Sequence, residues 1–313
     1  MRYYFAPMEG LTDSIYRKVH HSFFPGLDAY YMPFISPTVH RCLTNREARE
    51  VPMADSVPFH AVPQLMTKVA EDFLWAAREC RDRGYDEVNL NAGCPSGTVV
   101  AKKKGAGMLE NPDSLDRFLD EIFAASPLPV SVKTRLGLTA SDEFPKLLEI
   151  YNQYPIRELT IHPRVRKQFY DGDVDMDMFR YALENSRNPL CFNGNLRTLS
   201  EVKAFEKEFP QVESVMVGRG LIGNPGMFCP GMTAAKLRQF HDTLLEEYIV
   251  CFGGARNAMF RMKENWRHMI LLFGGHEKLW KKLRKTTDVA EYRIIVSEIF
   301  ETLPMYEELH ADW

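Results

Sequence analysis

A (β/α)8 barrel of the TIM type, followed by a small all-helical domain, is the fold class that the sequence predicts. Eight short runs rich in Val, Ile, Tyr, Phe and Thr recur over the first two thirds. They fall at 3–7 (YYFAP), 29–32 (AYYM), 60–65 (HAVPQL), 87–91 (EVNLN), 129–133 (PVSVK), 158–162 (ELTIH), 190–193 (LCFN) and 214–217 (SVMV). Each has the length and composition of a buried strand. Amphipathic stretches long enough for helices separate them, as at 69–83 (VAEDFLWAARECRDR) and 115–125 (LDRFLDEIFAA), each closed by Gly or Pro as helix ends are. The alternation fills about 230 residues, close to the roughly 250 of such barrels. An open, doubly wound sheet shares the alternation, but strand count and length favour the closed form.

Beyond Pro230 the pattern is helical throughout. Thr233 is placed to cap a helix over 234–252 that Gly253 and Gly254 end. A second spans 255–273 before Gly274 and Gly275, and a third covers 276–285. A fourth starts at a Thr287-Asp288 cap and runs to 303, before Pro304. The expected domains are therefore 1–232, a catalytic barrel, and 233–313, a helical domain.

Composition narrows the function. The chain has 313 residues, 45% hydrophobic and 26% charged, the profile of a soluble globular protein and not of a disordered one. No apolar run, MILLF at 269–273 included, approaches the roughly 20 residues of a membrane span. The start MRYYFAPMEG lacks the apolar core of a secretory signal, so a cytoplasmic location without membrane association is expected. Cysteines 42, 80, 94, 191, 229 and 251 are scattered, with no C-x-x-C pair or H-E-x-x-H motif, so neither disulfides nor a metal site is expected. A monomer is the expected state.

The net charge of -3 speaks at first against a nucleic-acid partner, but the total conceals a polarised tail. Residues 255–285 hold nine Lys or Arg against two acids, whereas 286–313 hold one base against seven acids.

Active sites of such barrels lie where strands end at the C-terminal face, so polar residues there are the candidates. They are Pro7, Met8, Glu9 and Gly10; Gln64; Asn91 with Cys94; Lys133 with Arg135; His162 with Arg164; Asn193, Gly194 and Asn195; and Gly218, Arg219 and Gly220. One polar residue ending a strand is ordinary; their convergence on one face is the stronger signal. The turns at 193–195 and 218–220 follow the last two strands, where such barrels bind phosphate through backbone N–H groups, and Arg219 can add charge-assisted bonds. Residues 218–223 also satisfy G-x-G-x-x-G, but Asn224-Pro225 breaks the helix that a dinucleotide fingerprint needs.

Alternation points Val88 and Leu90 at the covering helices and Asn89 and Asn91 into the barrel, with Cys94 in the Gly- and Pro-shaped loop that follows. A lone cysteine is ordinarily a small buried hydrophobe; this loop position favours a reactive one. Free thiols titrate near pH ~8.5, so such a cysteine is mostly protonated at neutral pH and can serve as a general acid.

The segments APMEGLTD (6–13), NAGCPSG (91–97), KKKGAGML (102–109), SVKTRLG (131–137), LTIHPR (159–164), FNGN (192–195) and VMVGRG (215–220) resemble, in order and spacing, the motifs of bacterial tRNA-dihydrouridine synthases. Singly they are weak; together they are highly specific, and the likeness covers the barrel and reaches the tail. The resemblance implies an FMN-dependent reductase that saturates the C5=C6 bond of particular tRNA uridines. In that family NADPH reduces the flavin, hydride passes from the flavin to C6, and a cysteine protonates C5. By motif match Cys94 is that acid. Pro7, Met8, Glu9, Gln64, Lys133, His162, Asn193, Gly194, Asn195, Gly218 and Arg219 match flavin-contacting positions, and Asn91 matches one near flavin and uracil. Lys133 also has a physical rationale, since a cation beside the flavin's pyrimidine edge favours the anionic reduced form. Two departures bear on subfamily more than on activity. Pro163 stands where relatives commonly carry Gly, and Asn195 stands where an acid often follows the Gly, leaving that flavin contact to the backbone.

A stacked uridine has to be extruded before it can be reduced, so basic surface is expected around the barrel mouth. Lys102, Lys103 and Lys104 follow Cys94, and Arg135 ends a strand beside it. In the tail Met259, Met262, Trp266, Met269, Ile270 and Phe273 share one helix face, read as core. Arg256, Lys263 and Arg267 share a neighbouring solvent-facing strip, and Lys281 and Lys282 lie further on. Such a strip on an isolated helix is ordinarily just solvated; joined to this barrel it reads as a tRNA-binding surface. Two alternatives stand beside this one. A flavin barrel acting on a free pyrimidine, of the dihydroorotate or dihydropyrimidine dehydrogenase type, has no use for the basic tail. A non-catalytic RNA-binding barrel has none for Cys94, Lys133 and the phosphate-type turns.

Overall fold

The computed structural model describes residues 1–38 and 40–310. Its strands are β1 (Arg2–Phe5), β2 (Ala29–Tyr31), β3 (Ala61–Val62), β4 (Gln64–Leu65), β5 (Val88–Ala92), β6 (Val130–Arg135), β7 (Leu159–His162), β8 (Leu190–Phe192) and β9 (Ser214–Val217). They form one sheet in the order β3-β2-β1-β9-β8-β7-β6-β5-β4. Its two ends are one stretch of chain, because only Pro63 separates β3 from β4. Proline has no N–H for a ladder, so the strand divides there. Its first half pairs with β2 through Tyr30 and Ala61, and its second with β5 through Gln64 and Asn89. Pro63 still accepts a bond from the Asn89 N–H at 2.9 Å. The eight expected strands thus close into a parallel barrel whose third strand changes partner midway, and the open sheet is excluded.

Strand alternation decides what fills the interior. Tyr4, Ala6, Ala29, Tyr31, Val62, Cys191 and Met216 form an apolar cluster inside. The inward positions of β4 to β7 are instead polar: Gln64, Asn89, Asn91, Ser131, Lys133, Thr160 and His162. Outward residues such as Leu90, Val132, Leu159, Ile161 and Phe192 are buried; Phe192 meets Phe179 of the helix Met176–Asn185 edge-on at 4.9 Å. Helix Ala70–Asp82 buries Phe73, Ala76, Ala77 and Cys80. Helix Pro112–Ala125 buries Leu115, Phe118, Leu119 and Ile122, and its Asn111 cap accepts from the Ser114 N–H.

The chain forms two compact units. One comprises Met1–Pro7, Asp28–Asn195 and Phe209–Met216; the other comprises Met8–Leu27, Leu196–Glu208 and the chain from Val217. The second holds helices Ser14–Phe23 and Leu199–Glu208 together with the four tail helices Ala234–Phe252, Ala255–Met269, Glu277–Lys285 and Val289–Thr302. Thr233 and Asp288 cap as expected, accepting from the N–H groups of Lys236 and Glu291. The second tail helix is shorter than the expected 255–273, because a 3-10 turn, Ile270–Leu272, takes over after Met269. Its apolar stripe is core: Met259, Met262 and Trp266 are fully buried. Trp266 Nε1 donates to the Tyr292 hydroxyl at 3.0 Å, which His241 Nε2 also meets at 2.7 Å. Among the described residues no helix is long and apolar enough to cross a membrane.

Candidate active site

The parallel register sets Asn91 beside Lys133 and Arg135 beside His162, so neighbouring strands present these side chains at matching levels. A directed hydrogen-bond relay runs up the interior beneath them. Ser131 Oγ donates to Glu87 Oε1 at 2.6 Å and accepts from Asn89 Nδ2 at 2.9 Å. Asn89 Oδ1 accepts from Gln64 Nε2 at 2.8 Å, and Gln64 Oε1 accepts from Asn91 Nδ2 at 2.7 Å. Each amide both gives and receives, which fixes its orientation. Asn91 Oδ1 is thereby left facing the next loop, where it accepts the N–H groups of Gly93 at 3.1 Å and Cys94 at 2.9 Å.

That loop is held from several sides. Arg135 Nε donates to the Gly93 carbonyl at 2.9 Å, Arg166 Nε to that of Pro95 at 3.1 Å, and the Ala106 N–H to that of Cys94 at 3.0 Å. Gly105 explains the downstream GAG motif. Its φ is +55°, and a Cβ there would lie 2.9 Å from Cys94 Cβ, so only glycine suits both the backbone and the close approach.

Lys133 Nζ donates to Asn193 Oδ1 at 2.6 Å, and Asn193 Nδ2 to the Met216 carbonyl at 2.7 Å. Desolvation first, and the like charge of Arg135 second, bring Lys133 down to about 7. Desolvation likewise lowers Arg135 to about 10. Arg135 donates from Nη1 to the Val165 carbonyl at 3.1 Å, and its guanidinium lies 5.4 Å from the Tyr170 ring centre. Cys94 is close enough to act electrostatically on both cations.

Arg164, nearly fully buried, donates from Nη1 to His162 Nε2 at 2.9 Å and from Nη2 to Asn195 Oδ1 at 2.8 Å. It also reaches the carbonyls of Asp171 and Gly172. A guanidinium has no acceptor to offer, so His162 Nε2 must be the acceptor and the ring's proton is on Nδ1. Asn195, at φ +30°, thus spends its side-chain oxygen on Arg164, which accords with a backbone-only role toward a cofactor.

The donor set tests the fit of a flavin. An ammonium has three donors, and Lys133 makes one hydrogen bond and no ion pair among the described residues, its acceptor being a neutral amide. A desolvated cation with unused donors suits an anionic, acceptor-rich ring or phosphate. Gly194 keeps the adjoining turn close, since a Cβ there would come within 2.8 Å of Val174 Cγ1. The residues present fit the group.

Gln64, Asn91, Cys94, Lys133, Arg135, His162, Asn193 and Asn195 are thus joined in the first unit by hydrogen bonds, register or charge. Of the three loop lysines, Lys102 and Lys103 are exposed, Lys103 being paired with Glu110, while Lys104 is half-buried and donates to Ser36 Oγ at 3.2 Å. Met8, Glu9, Gly218 and Arg219 belong to the second unit. There the Met8 carbonyl accepts from Leu11 and Thr12 in the turn that leads to the Asp13 cap, and Glu9 is exposed. Arg219 opens the short helix Arg219–Gly223; a Cβ on Gly220 would lie 2.7 Å from the Leu196 carbonyl. Arg256, Arg267, Lys281 and Lys282 are exposed. Lys263, expected to face solvent, is half-buried because its Nζ donates to the Thr286 carbonyl at 2.8 Å. Sequence reasoning missed the relay members Ser131 and Glu87 and the contact of Tyr170 with Arg135. The strand alternation that marked Asn89 and Asn91 is the signal that could have found Ser131; nothing in the letters marked Tyr170.

The family model for dihydrouridine synthases (Dus) matches residues 4–303. Over 228 residues the chain is 26% identical to tRNA-dihydrouridine synthase B of Pasteurella multocida (strain Pm70), covering 72% of this chain and 68% of that one. Over 312 residues it is 27% identical to a probable tRNA-dihydrouridine synthase of Staphylococcus aureus (strain MRSA252), covering 94% and 91%. Among solved structures, morphinone reductase in complex with tetrahydroNAD superposes with a TM-score of 0.52 at 11% identity, over 72% of this chain and 85% of that one; at that identity the likeness concerns the fold. With the family model spanning barrel and tail alike, the chain belongs to the dihydrouridine synthase family of enzymes.

Proposed function

We propose that this enzyme reduces the C5=C6 bond of particular uridines in tRNA to 5,6-dihydrouridine, with FMN as bound cofactor and NADPH as reductant. Residues 1–232 then form the catalytic domain and 233–313 the tRNA-binding domain. The observation that carries this reading is the Cys94 loop, latched by Asn91 and Arg135 beside a desolvated, under-bonded Lys133. Bound FMN would supply the hydride chemistry at C6 of the uracil, with NADPH as its reductant. Cys94 gives the proton to C5, and Lys133 and Arg135 stabilise the thiolate left behind. Asn91 holds the loop at the depth its relay dictates. Gln64, Lys133, His162 and the turn Asn193-Gly194-Asn195 would hold the cofactor; Pro7, Met8, Glu9, Gly218 and Arg219 match flavin-contacting positions by motif. The exposed cations Arg256, Arg267, Lys281 and Lys282, together with Lys102, take tRNA phosphates.

The purified protein is expected to show a flavin absorption spectrum, and its reduced flavin to be reoxidised by tRNA lacking dihydrouridine but not by free uracil or orotate. Reoxidation by free pyrimidine alone would favour the free-pyrimidine reductase, and a colourless protein that binds RNA would favour the inactive barrel. The charge strip has its own test. Arg267→Glu with Lys281→Glu should weaken tRNA binding roughly tenfold or more at physiological salt, since each phosphate contact contributes through counterion release, while FMN content stays the same. Undiminished tRNA affinity would remove the strip from the binding surface.

A further inference from the structure

Helix Ala255–Met269 buries Ala258, Met259, Met262, Asn265, Trp266 and Met269 on one side. Phe260 lies off that side with 40% of its surface exposed, so core packing does not account for the ring. Two cations lie against it. The Arg256 guanidinium carbon lies 5.8 Å and Lys263 Nζ 5.2 Å from the ring centre. Arg256, Phe260, Lys263 and Arg267 succeed one another at steps of four, three and four, which places them along one helix face.

The two cations differ in freedom. Lys263 is anchored, because its Nζ also donates to the carbonyl of Thr286, the residue that ends helix Glu277–Lys285. Arg256 is exposed, and its guanidinium makes no hydrogen bond among the described residues. Its guanidinium can therefore yield its place over the ring to another flat group, or stack on that group in turn.

An exposed aromatic ring set in a row of cations combines the two elements by which unpaired nucleic acid is held, a π-face for the base and positive charge for the phosphates on either side. We infer that Phe260 is a stacking site for one unpaired base of the tRNA, with Arg256 and Arg267 on its flanking phosphates. This rests on the tRNA reading above and adds a base contact to a surface otherwise argued from charge alone.

The test measures tRNA binding by the FMN-loaded enzyme between 50 and 200 mM salt. Phe260→Ala should weaken binding by roughly 5- to 150-fold, the usual worth of one stacked base, without changing the slope of log Kd against log salt. Phe260→Trp should restore the affinity. Arg256→Gln should instead flatten the slope by about one. Phe260 is exposed, so an unchanged FMN content and Tm check that Phe260→Ala is folded. Wild-type affinity in Phe260→Ala would overturn the inference and leave the ring for a protein partner, and an altered slope would overturn the stacking role. Failure of the wild-type enzyme to bind tRNA would instead overturn the tRNA reading on which the inference depends.

Discussion

Replacing Cys94 with Ala is expected to leave FMN bound and reducible by NADPH and to slow its reoxidation by tRNA roughly 10²- to 10⁴-fold, the usual worth of a positioned general acid. The substitution is clean for a structural reason. Asn91, Arg135, Ala106 and Arg166 all grip the loop by its backbone, so the loop survives removal of Sγ. Alanine also keeps the Cβ against which Gly105 is fitted, so no gap opens there. What disappears is the ionisable Sγ, whose charge bears on both Lys133 and Arg135. Stopped-flow traces that follow flavin reduction and reoxidation separately will show the first half-reaction intact and the second lost. Undiminished reoxidation would take Cys94 out of proton transfer.

Much of this site could be read from letters because the barrel translates sequence into place so directly. Buried parallel strands are short β-branched runs, and each predicted one lies within a residue or two of its position. Alternation then put Asn89 and Asn91 inside the barrel. It could not say that Gln64 would bridge them, since that depends on the register between strands whose pairing no local pattern reveals. HAVPQL displayed its proline openly, but that Pro63 hands the strand from β2 to β5 is a property of the closed sheet. The tail shows the opposite limit. A helical wheel knows only its own helix, so Lys263 read as solvent-facing, although a neighbouring helix end supplies the carbonyl that half-buries it. Phe260 escaped notice for the same reason, being an aromatic off the apolar stripe whose exposure only the packed domain defines. The tautomer of His162 needed the position of Arg164, two residues away in sequence, and that guanidinium is held by the carbonyls of Asp171 and Gly172, which no local pattern reveals.

Lys133→Met is expected to lose FMN and yet to melt at a higher temperature than the FMN-free wild type at pH 6. Both effects have one source. With its pKa at about 7 in the folded protein and near ~10.4 in the unfolded chain, Lys133 holds its proton less tightly after folding. Below pH 7 the charge is present in both states, and its desolvation beside Arg135 counts fully against the fold. Between about 7 and ~10.4 the unfolded chain binds more protons than the native one, so stability rises with pH through that window. Methionine has a similar length and no charge to desolvate. It forgoes the charge-assisted bond to Asn193, worth about 1.5 to 3 kcal/mol, which offsets part of the gain. The melting advantage of the variant should therefore be largest at pH 6 and shrink or reverse by pH 9. An anionic cofactor beside Nζ would offset the same desolvation, making the residue a liability to the empty protein and an asset to the loaded one. In the wild type, FMN affinity should accordingly fall as pH rises above 7, while in the variant it is low throughout. A melting difference that is equal at pH 6 and pH 9 would refute the electrostatic origin, and normal FMN retention by Lys133→Met would remove Lys133 from the cofactor site.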